Sequence, residues 1–370
     1  MLLLFAPDPP NLRWCVFESA AARSSLCSFG DDWLQRVKKD SGDLRRVSSV
    51  GYLLRHGGDR IKEPVQRITT QTLGEVQDTV RFLPEFNDIT CKVLDLWTRE
   101  LPHVPHFLFC DTAFFSGLPD VAGTYAVPEE LREKNVRRYG SYGLVHQWAW
   151  QMAGSLKKSK VGKMVSVYLG DHPNIAAVRD GKSLDTTIGF TPVEGIPSRT
   201  SCGDIDATIV FELHSSGMSF HEINEILSKK SGFTALMGHR CSYRDLVGSP
   251  AGVGAAEALD ILTYDIVKHI GSFAAVLGGL DTLTFATRHP EESVSLIREI
   301  CRRLDFLRAR LHRGRAWEPS QGSHINGLAA GQDAWNLSGN SAGINVILFK
   351  SDIWKTMAHL ANLMIEEKQA

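Results

Sequence analysis

The sequence predicts an α/β fold, a sheet with helical cover, on three observations. Short apolar runs of strand type alternate with longer runs of helical period. Asp180-Gly181 stands between two extended runs, a strong hairpin signal. The chain has 370 residues, too many for one small core and suited to two domains.

Leu2–Ala6 and Arg13–Phe17 are apolar runs separated by Pro7-Asp8-Pro9-Pro10-Asn11, so two strands and a turn are expected. Residues 30–46, with Lys38-Lys39-Asp40 and Arg45-Arg46, read as a solvated connection. Val47–Leu54 is a third strand, ending at Arg55-His56-Gly57-Gly58. Leu73–Phe82 and Ile89–Leu101 read as helices, and Phe107–Cys110 as a short buried strand running into Asp111. A second unit begins near residue 116. In it Val161–Leu169, Ile175–Val178 and Ser183–Asp185 are strands, and Ala207–Leu213 and Phe220–Leu227 are helices, the second capped by Ser219. Ala255–Val276 is the longest helix, with Leu259, Leu262, Ile266, Ile270 and Phe273 on one face. Thr282–Ala286 is a strand, Glu292–Leu304 a helix, Asn345–Phe349 the last strand and Trp354–Glu367 a closing amphipathic helix. Residues 311–343, rich in Gly, Ser and Asn, read as one long weakly structured stretch.

Lys+Arg number 41 and Asp+Glu 42, a formal net charge of -1. Such a chain has no global field to hold nucleic acid or an anionic membrane. No apolar run approaches the ~20 residues that span a bilayer, and Met1–Ala6 stops at prolines too early for a secretory leader. Seven cysteines without a C-x-x-C pair read as buried reduced thiols rather than disulfides or a zinc site, which places the protein in the cytoplasm. Cys202, beside Gly203-Asp204, is the thiol best placed for a cleft.

His103 and His106 have a spacing metals use, but no carboxylate lies near, and they read as a surface turn. Gly248–Gly254 precedes a helix and reads as a flexible loop rather than an anion cradle. Asp111 after an apolar strand, and Asp204 and Asp206 after a Gly-rich turn, are better candidates. Carboxylates at the carboxyl ends of strands point into the ligand crevice of open α/β sheets. The bland alternative for each is a helix cap.

Several segments, in order, resemble the acetate kinase family. They are Arg55-His56-Gly57-Gly58, Cys110-Asp111-Thr112-Ala113-Phe114, Arg137-Arg138-Tyr139-Gly140, Gly181–Thr186, Gly189–Gly195, Gly203-Asp204-Ile205-Asp206, Lys229–Gly232, Arg244-Asp245-Leu246 and Ala275–Asp281. The resemblance implies the two-domain actin-like ATPase fold with an interdomain cleft, ATP and magnesium as cofactors, and a homodimer. It also places one domain at 1–115 plus 354–370 and the other at 116–353.

The chain departs from the family where the family does its chemistry. The Ser-rich phosphate turn is Ala6-Pro7-Asp8-Pro9-Pro10-Asn11 here. The second phosphate loop, His-Leu-Gly-Asn-Gly in the family, is Tyr168-Leu169-Gly170-Asp171-His172-Pro173. The adenosine loop is Arg288-His289-Pro290-Glu291-Glu292. The family's substrate arginine falls at Leu53, two residues before Arg55, and its transition-state arginine at Ser201, two after Arg199. Its histidine after Arg-Tyr-Gly falls at Tyr142, and its metal-associated Glu near Ile353.

The residues expected to act are therefore Asp111, Arg55, Arg199 and His172. Those expected at the substrate are His56, Tyr142, His146, Tyr168, Asp171 and Ser201, and those at a nucleotide Gly170, Arg288 and Glu291; no metal ligand is assigned. Asp111 is expected in the cleft with Arg55 and His172 near it. The leading reading is a pseudokinase or ligand- and partner-binding scaffold, with weak or no Mg-ATP binding. The alternatives are a repurposed enzyme acting on a small carboxylate or acyl phosphate, and a divergent ATP-dependent short-chain carboxylate kinase.

Overall fold

The central strands are apolar on both faces, and the strands assemble into two sheets of six. The computed structural model describes residues 1–18, 21–30, 32–157, 161–248, 250, 252, 254–312 and 334–366. The chain divides into two units. Unit 1 is Met1–Ser116, Ser141–Leu144 and the chain from Asp352; unit 2 is Gly117–Gly140 and Val145–Ser351.

The first sheet comprises β1 (Leu2–Asp8), β2 (Asn11–Glu18), β3 (Ala21–Ser28), β4 (Ser49–Leu54), β5 (Val65–Arg67) and β6 (His106–Cys110), in the order β3-β2-β1-β4-β6-β5. β1 runs parallel to β4 and β4 to β6, while β2, β3 and β5 pair antiparallel. Leu3, Phe5, Val50, Tyr52 and Leu54 pack with Val93, Leu94 and Trp97 of the helix Pro84–Glu100. Leu4, Ala6, Leu53, Phe107 and Phe109 on the opposite face meet Trp354, Met357 and Leu360 of the helix Ile353–Glu366. Each such side chain contributes about 1.5–3 kcal/mol by leaving water.

The second sheet comprises β7 (Lys163–Leu169), β8 (Asn174–Arg179), β9 (Lys182–Thr186), β10 (Thr282–Thr287), β11 (Ala334–Asn336) and β12 (Asn345–Lys350), in the order β11-β12-β10-β7-β8-β9. Read from its other edge, this is the order and polarity of the first sheet: an antiparallel meander, two parallel additions and an antiparallel edge. The helices Ala255–Leu277 and Pro290–Arg303 cover one face. On the other, the helix Gly143–Lys157 brings Trp148 against Phe349 and His146 against Ser166.

The Asp180-Gly181 hairpin is present, with both residues at positive φ. Ser219 caps the helix Phe220–Lys229 through a reciprocal bond with Glu222. Three expectations are corrected. The stretch 30–46 holds a helix, Trp33–Ser41, which buries little beyond Val37 and Ser41, and β3 precedes it as a polar edge strand with almost no apolar signal. Residues 311–343 include β11; residues 313–333 lie outside the described residues. His106 is not on a surface turn: it is buried, between the Tyr52 hydroxyl at 2.7 Å and the Leu101 carbonyl at 2.9 Å. The Gly248–Gly254 loop has residues 249, 251 and 253 outside the described set.

Candidate active site

β4 and β6 are parallel neighbours, so their carboxyl ends deliver Arg55 and Asp111 side by side. The Asp111 amide donates to the Leu54 carbonyl at 3.0 Å, which extends the pairing one step beyond the strands. Arg55 Nη1 then donates to Asp111 Oδ2 at 2.7 Å. The Asp111 side chain is 1% exposed and that of Arg55 23%. Asp111 Oδ1 is buried with no hydrogen-bond partner among the described residues. Burial pushes the Asp111 carboxyl above the usual range, and Arg55 and the Leu144 amide pull it back.

Tyr142 completes this corner. Its ring lies 5.7 Å from the Arg55 guanidinium carbon, and its φ of 56° turns the chain sharply into the helix at Gly143. A Cβ at Gly143 would stand 2.2 Å from the Asp111 carbonyl oxygen, so only glycine allows that approach. His56 does not reach out of the site. Its ring stacks on Phe82 at 4.7 Å, and its Nδ1 accepts from the Gly58 amide.

Sequence reasoning missed what holds this corner. Asn87, fully buried in the helix Pro84–Glu100, accepts from the His56 amide at 3.4 Å and donates to the His56 carbonyl at 2.7 Å. Thr90 donates to the Leu53 carbonyl, and the Gly57 amide donates to Thr112 Oγ1. Thr90 lies within the expected helix Ile89–Leu101, but Asn87 precedes its expected start and belongs to the helix only because that helix begins at Pro84.

The other expected residues belong to unit 2. β7 ends at Leu169 and leads into Gly170-Asp171-His172. Asp171 is committed to the fold: its Oδ1 accepts from the Tyr243 amide at 2.8 Å, and its carbonyl accepts from the Arg199 amide at 2.6 Å. Arg199 Nε lies 3.6 Å from Asp171 Oδ2. Ser201 is buried and bonded to Ser198 Oγ at 2.6 Å. A Cβ at Gly170 would stand 2.8 Å from the Tyr168 hydroxyl, so that ring fills the space beside the loop. His146 is wholly buried against Ser166 at 2.9 Å, and burial pushes its pKa down to about 3. Arg288 and Glu291 are exposed, flanking Pro290 at the start of its helix.

Asp204 accepts from the Gly195 amide, and Asp206 from the amide and hydroxyl of Thr208, so both act as turn and cap residues. Cys202 is the one free cysteine that is not fully buried. Among the described residues, no group of three or more His, Cys, Asp and Glu could hold a metal, and no helix is long and apolar enough to cross a membrane.

Two such sheets, each with charged loops at the carboxyl ends of its parallel strands, define a protein of the actin-like ATPase fold. Solved structures agree. Porphyromonas gingivalis acetate kinase superposes with a TM-score of 0.82 at 22% identity, over 98% of this chain and 99% of that one. A propionate kinase from Francisella tularensis gives 0.82 at 20%, over 96% and 97%. The acetokinase family pattern matches residues 18–327. Acetate kinase from Desulfitobacterium hafniense is 34% identical over 274 residues, 72% of this chain and 68% of that protein. That from Bacillus subtilis is 33% identical over 284 residues, 75% and 70%. The chain belongs to the acetate kinase family.

Proposed function

We propose that this protein is a divergent short-chain carboxylate kinase that converts an acetate- or propionate-sized acid and ATP to the acyl phosphate and ADP. The observation that carries the reading is the Arg55–Asp111 pair. A partly exposed guanidinium at the end of a parallel strand is a ready partner for a carboxylate or acyl phosphate. Asp111 keeps the guanidinium aimed, and the Tyr142 ring lies against it. In this reading Arg55 takes over the role that the family gives the position of Leu53. Arg199, His172, Tyr168 and Ser201 are proposed to serve the phosphoryl side, with Gly170, Arg288 and Glu291 toward the nucleotide. His56 and His146 are proposed as packing residues beneath their strands.

A magnesium ion held mainly by substrate phosphates is proposed, and Oδ1 of Asp111, without a hydrogen-bond partner among the described residues, would be the one hard oxygen this chain offers it. Magnesium there would neutralise phosphate charge. Phosphoryl transfer is otherwise positioning and charge neutralisation, which an arginine supplies.

Two observations favour the second reading, a scaffold that binds the acid without transferring phosphate. The first hairpin turns tightly through Pro9-Pro10, with Asp8 opposite Asn11. Two prolines there supply no N–H donors. The helix at Pro290 carries Glu291 and Glu292 in its first turn, which opposes an anion.

The protein is further proposed to be cytoplasmic, with functional domains following the two units. It is also proposed to pair with a second copy, and the exposed side chains of Phe211, Phe220 and Tyr264 are candidates for that contact. A hydroxamate assay with acetate and propionate plus Mg-ATP tests the kinase; calorimetry with acetyl phosphate tests the site. Saturable binding without turnover selects the scaffold, and no binding removes both readings. Light scattering at micromolar concentration checks the dimer.

A further inference from the structure

We infer that Asn87 is the positioning residue for Arg55, acting through the backbone of His56 rather than through any ligand. For what Arg55 does, this rests on the carboxylate-site reading; for where Arg55 points, it does not.

The carboxamide of Asn87 meets both polar groups of His56, as one peptide meets another in a sheet. Its Nδ2 also donates to Thr79, carbonyl at 3.1 Å and hydroxyl at 3.0 Å, which anchors the side chain from the other direction. The His56 amide belongs to the peptide that follows Arg55. Gripping it sets the ψ of Arg55 and hence the line along which the guanidinium leaves the strand. The next amide, Gly57, is gripped by Thr112, and Asp111 is tied to Leu54. Arg55 and Asp111 are thus held by the same small frame, and Asn87 is the buried member of it that reaches from the helix to residue 56. The ring of His56 is held within unit 1 by its stacking on Phe82 and by the Gly58 amide, so residue 56 enters this frame through its backbone.

A displacement of about 1 Å at a positioned group costs roughly 10²-fold in rate. The test reads Arg55 directly. Phenylglyoxal condenses with exposed guanidines, and peptide mass spectrometry follows Arg55 against the exposed Arg132 of the same sample. In Asn87→Leu, shown folded by circular dichroism, the Arg55:Arg132 ratio should rise several-fold above wild type. Asn87→Asp supplies the pH signature. A protonated carboxyl donates to the His56 carbonyl and accepts from its amide, as the carboxamide does, whereas an ionised one cannot donate. The ratio in Asn87→Asp should fall back toward wild type as pH is lowered from 9 to 6, with no such trend in wild type. If Asn87→Leu fails to fold, Asn87→Asp decides alone. A wild-type ratio in folded Asn87→Leu, or a pH-independent ratio in Asn87→Asp, overturns the inference. Acetyl phosphate added to wild type separates the two ideas: failure to protect Arg55 removes the carboxylate reading and leaves the placement by Asn87 standing.

Discussion

The two units carry the same sheet, yet treat the charges at its loops differently. In unit 1, the acid after the parallel strand β6, Asp111, is fully buried and answered by one guanidinium and the Leu144 amide. In unit 2, Asp171 follows β7, the counterpart of β1 rather than of β6; its side chain is 42% exposed, and its carboxylate is answered by the Tyr243 amide as well as by Arg199. The first hairpins differ as well. β1 and β2 are joined through two prolines, while β7 and β8 are joined through Gly170-Asp171-His172-Pro173, whose polar groups brace neighbouring loops. A buried charge that depends on a single cation is costly to keep. A half-exposed charge bonded to the backbone costs less and serves the fold.

The sharpest way to break this contrast is to remove each arginine. Arg55→Ala leaves Asp111 buried and unpaired, with an expected loss of about 3–5 kcal/mol in urea unfolding and, where turnover is measured, about 10³-fold in kcat/KM. Arg199→Ala should cost under about 1 kcal/mol, because its partner is solvated. Equal losses would erase the distinction between the units.

A steric version follows along one helix. Gly143→Ala places a methyl 2.2 Å from the Asp111 carbonyl and should destabilise by about 3 kcal/mol. Gly154→Ala, with nothing within 4 Å, should stabilise by about 0.5–1 kcal/mol. Thermal melts of the two variants with opposite signs are the expected outcome.

Acid should act on unit 2 through His146. Its folded pKa, about 3, lies below the unfolded value near 6.5, so the unfolded chain takes the proton first. The stability it supports is complete above pH 6.5 and is lost as pH falls toward 3, by about 1.4 kcal/mol per pH unit. Denaturation midpoints between pH 7 and 4.5 should fall less steeply in His146→Gln. An unchanged slope would mean that His146 takes its proton without unfolding.

The smallest expected effect is at Asp171. Asn keeps the acceptor for the Tyr243 amide while removing a negative charge. Asp171→Asn should leave the melting temperature within about 2 °C and tighten Mg-ATP binding severalfold by calorimetry, since a like charge nearby repels phosphate. Unchanged affinity would place the nucleotide elsewhere.

Much of the fold was legible because strands and helices announce themselves locally. Leu3 and Phe5 against Leu4 and Ala6, or Leu262, Ile266 and Ile270, show which faces are buried from spacing alone. β3 was not legible: Ala21–Ser28 is polar, and pairing with β2 makes it a strand. Arg55 and Asp111 were legible as candidates through their places at strand ends. Asp171 reads in sequence as a loop carboxylate available to ligand, and only its contacts reveal a brace.

By itself the sequence determined the family, the α/β class, the order of most elements and the charged residues that end the strands. Tertiary structure alone decided that the two sheets repeat one topology without a sequence repeat, that Asp111 is dry and Asp171 wet, and that Asn87 grips His56 across 31 positions. The reason is range. Periodicity and turn chemistry act over a few residues and can be read along the chain. Burial, dielectric and the partner of a polar group depend on segments far apart in sequence, and exist only once those segments have packed.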